Sequence, residues 1–214
     1  MIERFRHILF LGAHPDDEMG CAGTIARLSE SEADVEVLTF SDCEDLIPDG
    51  FTRDDLVDEW RKATTLLGVE RKNLTLWDVP NRRFPENRQV ILDALDRVRR
   101  LHWDRPFELV LVPSPADAHQ DHAQVAAEAI RVFKQTTILG YELPLNAVRA
   151  NTLNAFVRLY ADDITLKRRH AAIYRSQGGK PYMDPAYIEG LARVRGVQAG
   201  VDFAEAFEVI RWVL

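Results

Sequence analysis

Short apolar runs alternate along the chain with longer segments in which apolar residues recur every three or four positions. The apolar runs are residues 7–11, 35–40, 74–77, 109–112 and 136–143. Runs of this length between turn residues predict buried strands. The segments with helical spacing are residues 53–68, 91–101 and 125–133, and residues 20–24 resemble the start of a further helix. This alternation predicts an α/β fold, a Rossmann-like and mostly parallel sheet flanked by helices.

The pattern changes after Pro144. Residues 156–160 and 207–212 resemble further strands, and residues 165–175 and 185–195 resemble helices. No linker, low-complexity tract or internal repeat separates this part from the rest. We therefore expect a C-terminal cap region on one domain that spans residues 1–214, a length sufficient to bury a sizeable core.

A dense polar segment follows the first predicted strand. Residues 13–18 read Ala-His-Pro-Asp-Asp-Glu, and the glycines at 20 and 23 lie where a helix opens. Open α/β sheets bind their ligands at the carboxyl ends of the strands. A histidine and an aspartate three residues apart on a tight turn can reach one cation and leave a second carboxylate free. The alternative is that the three carboxylates only stabilise the start of the helix.

A second polar cluster follows the fourth predicted strand. Residues 118–122 read Ala-His-Gln-Asp-His, just after the apolar run at 109–112. If the first and fourth strands are neighbours in a parallel sheet, both clusters open into the same crevice. Two histidines and one aspartate, with a fourth position left to water, form the ligand set of a catalytic zinc. Such ligands do not single out zinc, so Fe2+ or a binuclear site stays open.

These motifs resemble those of the PIG-L/LmbE-like zinc-dependent deacetylases, which remove acetyl groups from N-acetylated amino sugars and related amides. The resemblance rests on AHPDDE, on GCAGT at residues 20–24 and on HQDH at residues 119–122. Further similar segments are residues 140–142, 174–177, 180–182 and 204–207. The chain departs from the family pattern at Lys180, where Arg is common, and at Phe203, where Tyr is common.

The resemblance implies a role for each residue of the two motifs. His14, Asp17 and His122 would be the zinc ligands, and one divalent metal ion is expected at this site. Asp16 would be the general base, and His119 would be the electrostatic or acid partner. The implied activity is the removal of an acetyl group from an N-acetylated amino sugar or sugar conjugate.

Amide hydrolysis needs a nucleophile, a polarised carbonyl and a proton for the departing amine. A bound zinc ion supplies the first two, because it lowers the pKa of its water to ~7 and acts as a Lewis acid. We hypothesise that Asp16 takes the proton from this water and passes it to the amine. His119 would stabilise the oxyanion as an imidazolium. Asp121 would tune His119 through a hydrogen bond.

Candidate substrate contacts lie in later loops. Arg82, Arg83 and Arg88 follow the third predicted strand, and clustered guanidinium groups suit phosphate or carboxylate. Glu142 and the Tyr182 hydroxyl can exchange hydrogen bonds with sugar hydroxyls. The expected substrate is therefore an N-acetyl amino sugar that carries an anionic group. The alternative is that the arginines neutralise neighbouring acidic loops and that the tyrosine is a packing residue.

Composition narrows the class of protein. The 214 residues are 46% hydrophobic and 29% charged, as in ordinary soluble globular proteins. A net charge of -7 argues against a nucleic acid partner, which requires a basic surface. The apolar runs are too short to span a membrane, and the start lacks the pattern of a secretory signal. Cys21 and Cys43 have no metal-ligand spacing and predict no disulfide, so we expect a cytoplasmic protein.

Two other classes of function stay open. The same metal site suits hydrolysis of another amide or an ester, such as an acylated cysteine–sugar conjugate. A non-catalytic sugar- or nucleotide-binding module is disfavoured, because the first turn lacks Gly-x-Gly-x-x-Gly. A binding module also has no need of a free aspartate beside a metal ligand. The oligomeric state, including a homo-oligomer, is not determined by the sequence.

Overall fold

A computed structural model describes residues 2–148 and 152–213. In this part of the chain seven strands form one sheet. The strands are β1 His7–Gly12, β2 Asp34–Thr39, β3 Leu74–Leu76, β4 Leu109–Pro113, β5 Thr137–Tyr141, β6 Ala155–Leu159 and β7 Phe203–Arg211. Their order is β3-β2-β1-β4-β5-β7-β6. The first five are parallel, and β7 runs antiparallel to both β5 and β6.

Six α-helices lie in the same described residues. They are α1 Ala22–Glu30, α2 Arg53–Leu66, α3 Arg88–Leu101, α4 Gln120–Val132, α5 Ala161–Ile173 and α6 Pro185–Ala199. Local chemistry accounts for several of their ends. Thr52 and Asp55 form a reciprocal capping box at the start of α2. Helix α6 is capped by Asp184 before Pro185 and by Gly200 after Ala199, where a φ of 71° suits glycine.

The sheet carries a hydrophobic core on each face. In β1, Ile8 and Phe10 pack in the core that α1 and α2 cover, whereas Leu9 and Leu11 pack in the core under α3 and α4. All six residues of β1 are buried. Burial on both faces explains why this strand is a continuous apolar run without alternation. The predicted α/β architecture is confirmed.

The strand order places the two polar clusters side by side. The chain builds β2 and β3 on one side of β1, and β4 and β5 on the other. Such a reversal leaves a crevice at the carboxyl ends of the two central strands. β1 and β4 pair directly, Ile8 with Leu109 and Phe10 with Leu111. The predicted neighbourhood of the two clusters is thus confirmed.

The region after Pro144 contributes to the sheet as well as covering it. Tyr160, predicted to end a strand, precedes α5, because its N–H donates to Asp163 at 2.7 Å. β7 begins at Phe203, four residues earlier than the alternation from 207 predicts. Its first residues include alanine and a buried glutamate, which are weak strand formers. Their pairing with β6 comes from tertiary structure.

No helix in residues 2–148 and 152–213 is both long and apolar enough to cross a membrane. Cys21 is buried, Cys43 is partly buried, and both are free thiols. That residues 1–214 form a single domain stays a prediction.

Candidate active site

The side chains of His14, Asp17 and His122 converge at the carboxyl ends of β1 and β4. Nδ1 of His14 lies 3.2 Å from Nε2 of His122. Oδ1 of Asp17 lies 3.2 Å from the same Nε2 atom and 4.0 Å from Nδ1 of His14. All three residues are buried. Three potential metal-ligating atoms therefore surround one point.

The opposite ring nitrogen of each histidine is held by a carboxylate. Nε2 of His14 lies 3.0 Å from Oδ2 of Asp121, and Nδ1 of His122 lies 2.7 Å from Oδ2 of Asp117. An ionised carboxylate only accepts hydrogen bonds, so the nitrogen that faces it carries the hydrogen. In a neutral imidazole the other nitrogen then directs its lone pair at the shared point. Metal-binding histidines are commonly oriented in this way.

Backbone donors orient Asp17. Its Oδ2 atom accepts hydrogen bonds from the N–H groups of Ala13 at 2.6 Å and His14 at 2.9 Å. This leaves Oδ1 for the cluster. Burial favours the neutral acid, but the neighbouring His122 and His14 outweigh it and lower the pKa of Asp17 to about 2. The carboxyl group of Asp17 is therefore ionised at neutral pH.

The cluster fits a divalent metal ion of the zinc class. Two nitrogen lone pairs and one carboxylate oxygen face one point. These electron-rich atoms repel one another unless a cation or a proton lies between them. Although burial acts against a charged His122, Asp17 and Asp117 raise its pKa to about 10. This shows how strongly the position attracts positive charge. His2Asp with an open fourth position is a donor set of catalytic zinc sites, and Fe2+ also accepts these ligands.

A second grouping, His14 with His119 and Asp121, also places its donor atoms within 4.8 Å of one another. Asp121 is less suitable as a ligand, because both oxygens already accept hydrogen bonds. Oδ2 accepts from Arg82 N–H at 2.6 Å as well as from His14, and Oδ1 accepts from Phe84 N–H at 3.3 Å. The prediction that this carboxylate hydrogen-bonds to His119 is wrong: its histidine partner is His14.

His119 sits at the start of α4 and lines the cleft. Its Nδ1 atom accepts the backbone N–H of Asp121 at 3.2 Å, so the ring hydrogen resides on Nε2. Burial, together with His122 and His14, lowers the pKa of His119. The surroundings thus favour a neutral imidazole with an N–H donor, and not the imidazolium that the sequence analysis predicts.

Asp16 adjoins the cluster in an unusual backbone conformation. Its φ of 91° lies in the left-handed region, which costs energy for residues other than glycine and recurs at functional sites. Oδ2 accepts a hydrogen bond from the Tyr182 hydroxyl at 2.9 Å, and the N–H donates to the Tyr174 hydroxyl at 3.2 Å. Burial, followed by Asp17 and Glu18, raises the pKa of Asp16 to about 8.

Glu18 supports this arrangement from behind. It is fully buried, and its Oε1 atom accepts hydrogen bonds from Nε2 of His170 at 3.1 Å and from the Tyr174 hydroxyl. Tyr174 in turn contacts Asp16. The Glu18 carboxylate thus connects the first motif to the C-terminal end of α5.

Three residues around the site were given no role by sequence reasoning. Asp117 holds His122, whereas His170 and Tyr174 connect α5 to Glu18. The signal for Asp117 was its place five residues before His122, in the loop that leads into α4. The signal for the other two was their i, i+4 spacing, which places residues on one face of a helix.

Glu205 lies in residues 204–207, one of the segments that resemble the family, and it is hydrogen-bonded to the start of α1. From β7 it accepts the N–H groups of Gly23 at 2.9 Å and Thr24 at 2.7 Å, at the start of α1. The ammonium group of Lys167 pairs with Glu205 and also donates to Met19 O at 3.0 Å. This buried network fixes the helix that follows the first motif.

A cleft of about 700 Å³ opens above the cluster. Arg82, Lys180 and Tyr182 line it together with the motif residues. The predicted group of three arginines is divided. Arg83 is exposed and pairs with Glu86 at 3.0 Å. Arg88 lies in α3, where it pairs with Glu128 at 2.7 Å, so of the three only Arg82 is a lining residue.

Two buried acidic side chains, Glu142 and Asp42, are paired with arginines. Glu142 is buried, and its two oxygens accept hydrogen bonds from Arg195 at 2.7 and 2.6 Å. Asp42 pairs with Arg53 at 2.6 Å. The alternative that arginines neutralise acidic groups thus holds for these two pairs, as it does for Arg83 and Arg88. Glu142 lines the cleft, but both oxygens of its carboxylate are already hydrogen-bonded to Arg195.

Solved structures share the fold. N,N'-diacetylchitobiose deacetylase from Pyrococcus horikoshii matches with a TM-score of 0.80 and 21% identity, over 98% of this chain and 85% of that chain. The conserved protein TT1542 from Thermus thermophilus matches with a TM-score of 0.77 and 23% identity, over 97% of this chain and 96% of that chain. GalB, the 4-carboxy-2-hydroxymuconate hydratase from Pseudomonas putida, matches with a TM-score of 0.70 and 18% identity, over 98% of each chain.

No curated protein matches the sequence significantly. The family model for PIG-L, described as GlcNAc-PI de-N-acetylase, matches residues 9–133. This range covers more than half of the chain and includes both motifs, from His14 to His122. The expected family is thereby confirmed: the chain belongs to the PIG-L family.

Proposed function

We propose that this protein is a metal-dependent deacetylase that removes the acetyl group from an N-acetylated amino sugar or sugar conjugate. One observation carries the proposal: the buried donor set of His14, Asp17 and His122 adjoins Asp16, a carboxylate outside that set. Membership of the PIG-L family supports the reaction class. The shared fold of a hydratase shows that fold alone does not determine it.

His14, Asp17 and His122 would hold the metal ion, for which zinc is the proposed identity. When bound, such an ion polarises a carbonyl and acidifies a water molecule. Asp117 and Asp121 would keep the two imidazoles in the ligating orientation, because each accepts the hydrogen of the non-ligating nitrogen.

Asp16 would accept the proton that the attacking water loses and would later deliver it to the departing amine. Its pKa of about 8 in the metal-free protein reflects burial and two carboxylate neighbours. A nearby cation would lower this pKa toward the working pH. Tyr182, which donates a hydrogen bond to Asp16, would position this carboxylate instead of binding a sugar hydroxyl.

His119 would donate its Nε2–H to the oxygen that becomes negative when the amide carbonyl is attacked. The Nδ1 atom is occupied by the backbone N–H of Asp121, which fixes the tautomer. A neutral donor of fixed direction stabilises an oxyanion without a change in its own protonation.

The proposed substrate carries an anionic group near the acetylated nitrogen. Arg82 and Lys180 line the cleft, and the acidic side chain of Glu142 there is neutralised by Arg195. The cationic side chains of Arg82 and Lys180 would bind this anionic group. A cytoplasmic location and the oligomeric state stay predictions.

A panel of N-acetylglucosamine compounds tests the proposal. Free, phosphate-linked and nucleotide-linked forms would be incubated with the zinc-loaded protein, and acetate and free amine would be measured. We expect equal amounts of both products, with the highest rate on an anionic member. An acetate ester of the same sugar serves as the control, because preferential ester cleavage would identify a different hydrolase.

A further inference from the structure

Two histidines and a glutamate meet at the amino end of the sheet, opposite the active site. His7 is the first residue of β1, Glu36 lies in β2, and His102 follows the last residue of α3. The length of β1, roughly 20 Å, separates this cluster from the motif residues. None of the three residues takes part in the proposed reaction.

Both imidazoles contact one carboxylate oxygen. Nε2 of His7 lies 3.1 Å from Oε1 of Glu36, and Nε2 of His102 lies 2.8 Å from the same atom. The three atoms lie within 4.8 Å of one another. This arrangement resembles the active-site donor set in composition, since it has two imidazoles and one carboxylate.

Backbone carbonyls determine which ring nitrogens carry hydrogen. Nδ1 of His7 lies 2.9 Å from the carbonyl oxygen of Arg105, and Nδ1 of His102 lies 2.9 Å from that of Val98. A carbonyl only accepts, so both Nδ1 atoms donate. In the neutral imidazoles both Nε2 lone pairs then point at a carboxylate oxygen, and a positive charge is needed between them.

We propose that His7, Glu36 and His102 form a second metal site, which takes a divalent first-row transition ion such as Zn2+ or Co2+. Imidazole and carboxylate ligands suit these ions, and backbone carbonyls on the opposite nitrogens are the usual outer partners of ligating histidines.

The rings are held in place before any ion binds. His7 is buried and stacks on Phe107, with ring centroids 4.2 Å apart, and the His102 ring lies 4.5 Å from the same phenyl ring. The side chains of Glu36 and His102 are 24% and 26% exposed, so an ion can enter and keep water ligands.

Glu36 supplies the carboxylate of this cluster, because the neighbouring Asp34 is already hydrogen-bonded elsewhere. Asp34, on the same strand, accepts hydrogen bonds from Arg105 at 2.6 Å and from Asn73 at 2.7 Å. The C-terminal end of α3 adds a partial negative charge beside His102, which favours a cation there. A bound ion would join the starts of β1 and β2 to the end of α3.

Zinc stoichiometry tests the second site. Zn2+ would be titrated against a chromophoric chelator into wild type and into His102→Gln, and turnover would be measured on the same samples. We expect two ions per chain in wild type and one in His102→Gln, with unchanged turnover. Trp103→Ala, a neighbouring change at a side chain that is 76% exposed, should keep both ions.

A second background separates this site from the active site. The double variant His14→Ala/His122→Ala lacks the catalytic donors and should still bind one Zn2+, which the further change His102→Gln removes. Its thermal midpoint should rise with added Zn2+ only while His102 is present. One ion in wild type and none in the double variant would overturn the proposal and leave protons on the imidazoles as the explanation of the cluster.

Discussion

Nε2 of His14 lies 3.0 Å from Oδ2 of Asp121, although 107 positions separate the two residues. The same carboxylate also accepts the backbone N–H groups of Arg82 and Phe84. One buried side chain thus joins the loops that follow β1 and β3 to the start of α4. Its loss should affect the orientation of a metal ligand without removing any ligand.

Asp121→Asn should weaken zinc binding about 10- to 100-fold, because the amide is a poorer acceptor for the His14 ring hydrogen. Competition against a chelator of known affinity measures the change. Asp93→Asn, the same substitution at an exposed position of α3, is the matched control and should bind zinc like wild type. Equal affinities in the two variants would contradict the role assigned to Asp121.

Zinc affinity should rise with pH, because the metal displaces a proton from His122. The pKa of this residue in the metal-free protein is about 10. At neutral pH the site is therefore protonated, and the apparent affinity should increase about tenfold per unit between about pH 6.5 and 8. Calorimetry in two buffers of different ionisation enthalpy should show about one proton released per bound ion.

The same pKa has a consequence for stability. A raised folded-state pKa stabilises the metal-free protein below the unfolded value of about 6.5. This contribution is lost as the pH rises through about 10. Asp117→Asn removes one cause of the raised pKa and should reduce the proton release on zinc binding. An unchanged release in that variant would mean that Asp117 does not support the charge.

Much of the site could be predicted because it is local in sequence. His14 and Asp17 lie on one turn, and His119 and His122 lie on another. The rule that parallel strands open their carboxyl ends into one crevice then brings the turns together. The apolar runs also predict the central strands β1, β4 and β5, which are covered on both faces and buried at every position.

The remaining contacts depend on tertiary structure. Glu142 and Arg195 are 53 positions apart, and no spacing rule pairs an acid with one of 22 arginines. Asp121 lies near both His119 and His14, so its partner depends on the relative position of two loops. The first residues of β7 pair because neighbouring strands are in place, and their intrinsic strand preference is weak.

Tyr182→Phe should shift the acid limb of the pH profile of kcat/KM to higher pH. The Tyr182 hydroxyl stabilises the ionised form of Asp16, so its removal raises the pKa of that carboxylate. Activity at neutral pH should fall while zinc content stays unchanged. Tyr187→Phe, elsewhere in the cleft, is the control, and identical profiles for the two variants would refute this role of Tyr182.

Arg82→Gln should raise KM for an anionic substrate, whereas Arg83→Gln should leave it unchanged. The two residues are adjacent, but only Arg82 lines the cleft, and Arg83 pairs with Glu86. The kcat/KM of wild type should decrease as ionic strength increases, and Arg82→Gln should flatten this dependence. A kcat/KM that does not change with ionic strength would contradict an anionic substrate. It would leave the deacetylase proposal intact.

In the proposed mechanism Asp16 moves protons beside a metal that it does not bind. Asp16→Asn tests it most directly, because asparagine tolerates the left-handed conformation seen at this position. Turnover of an N-acetylated sugar and zinc content would be measured on one preparation. We expect a loss of turnover of about 10²- to 10⁴-fold with zinc content equal to that of wild type. Loss of the metal, or turnover close to wild type, would contradict it.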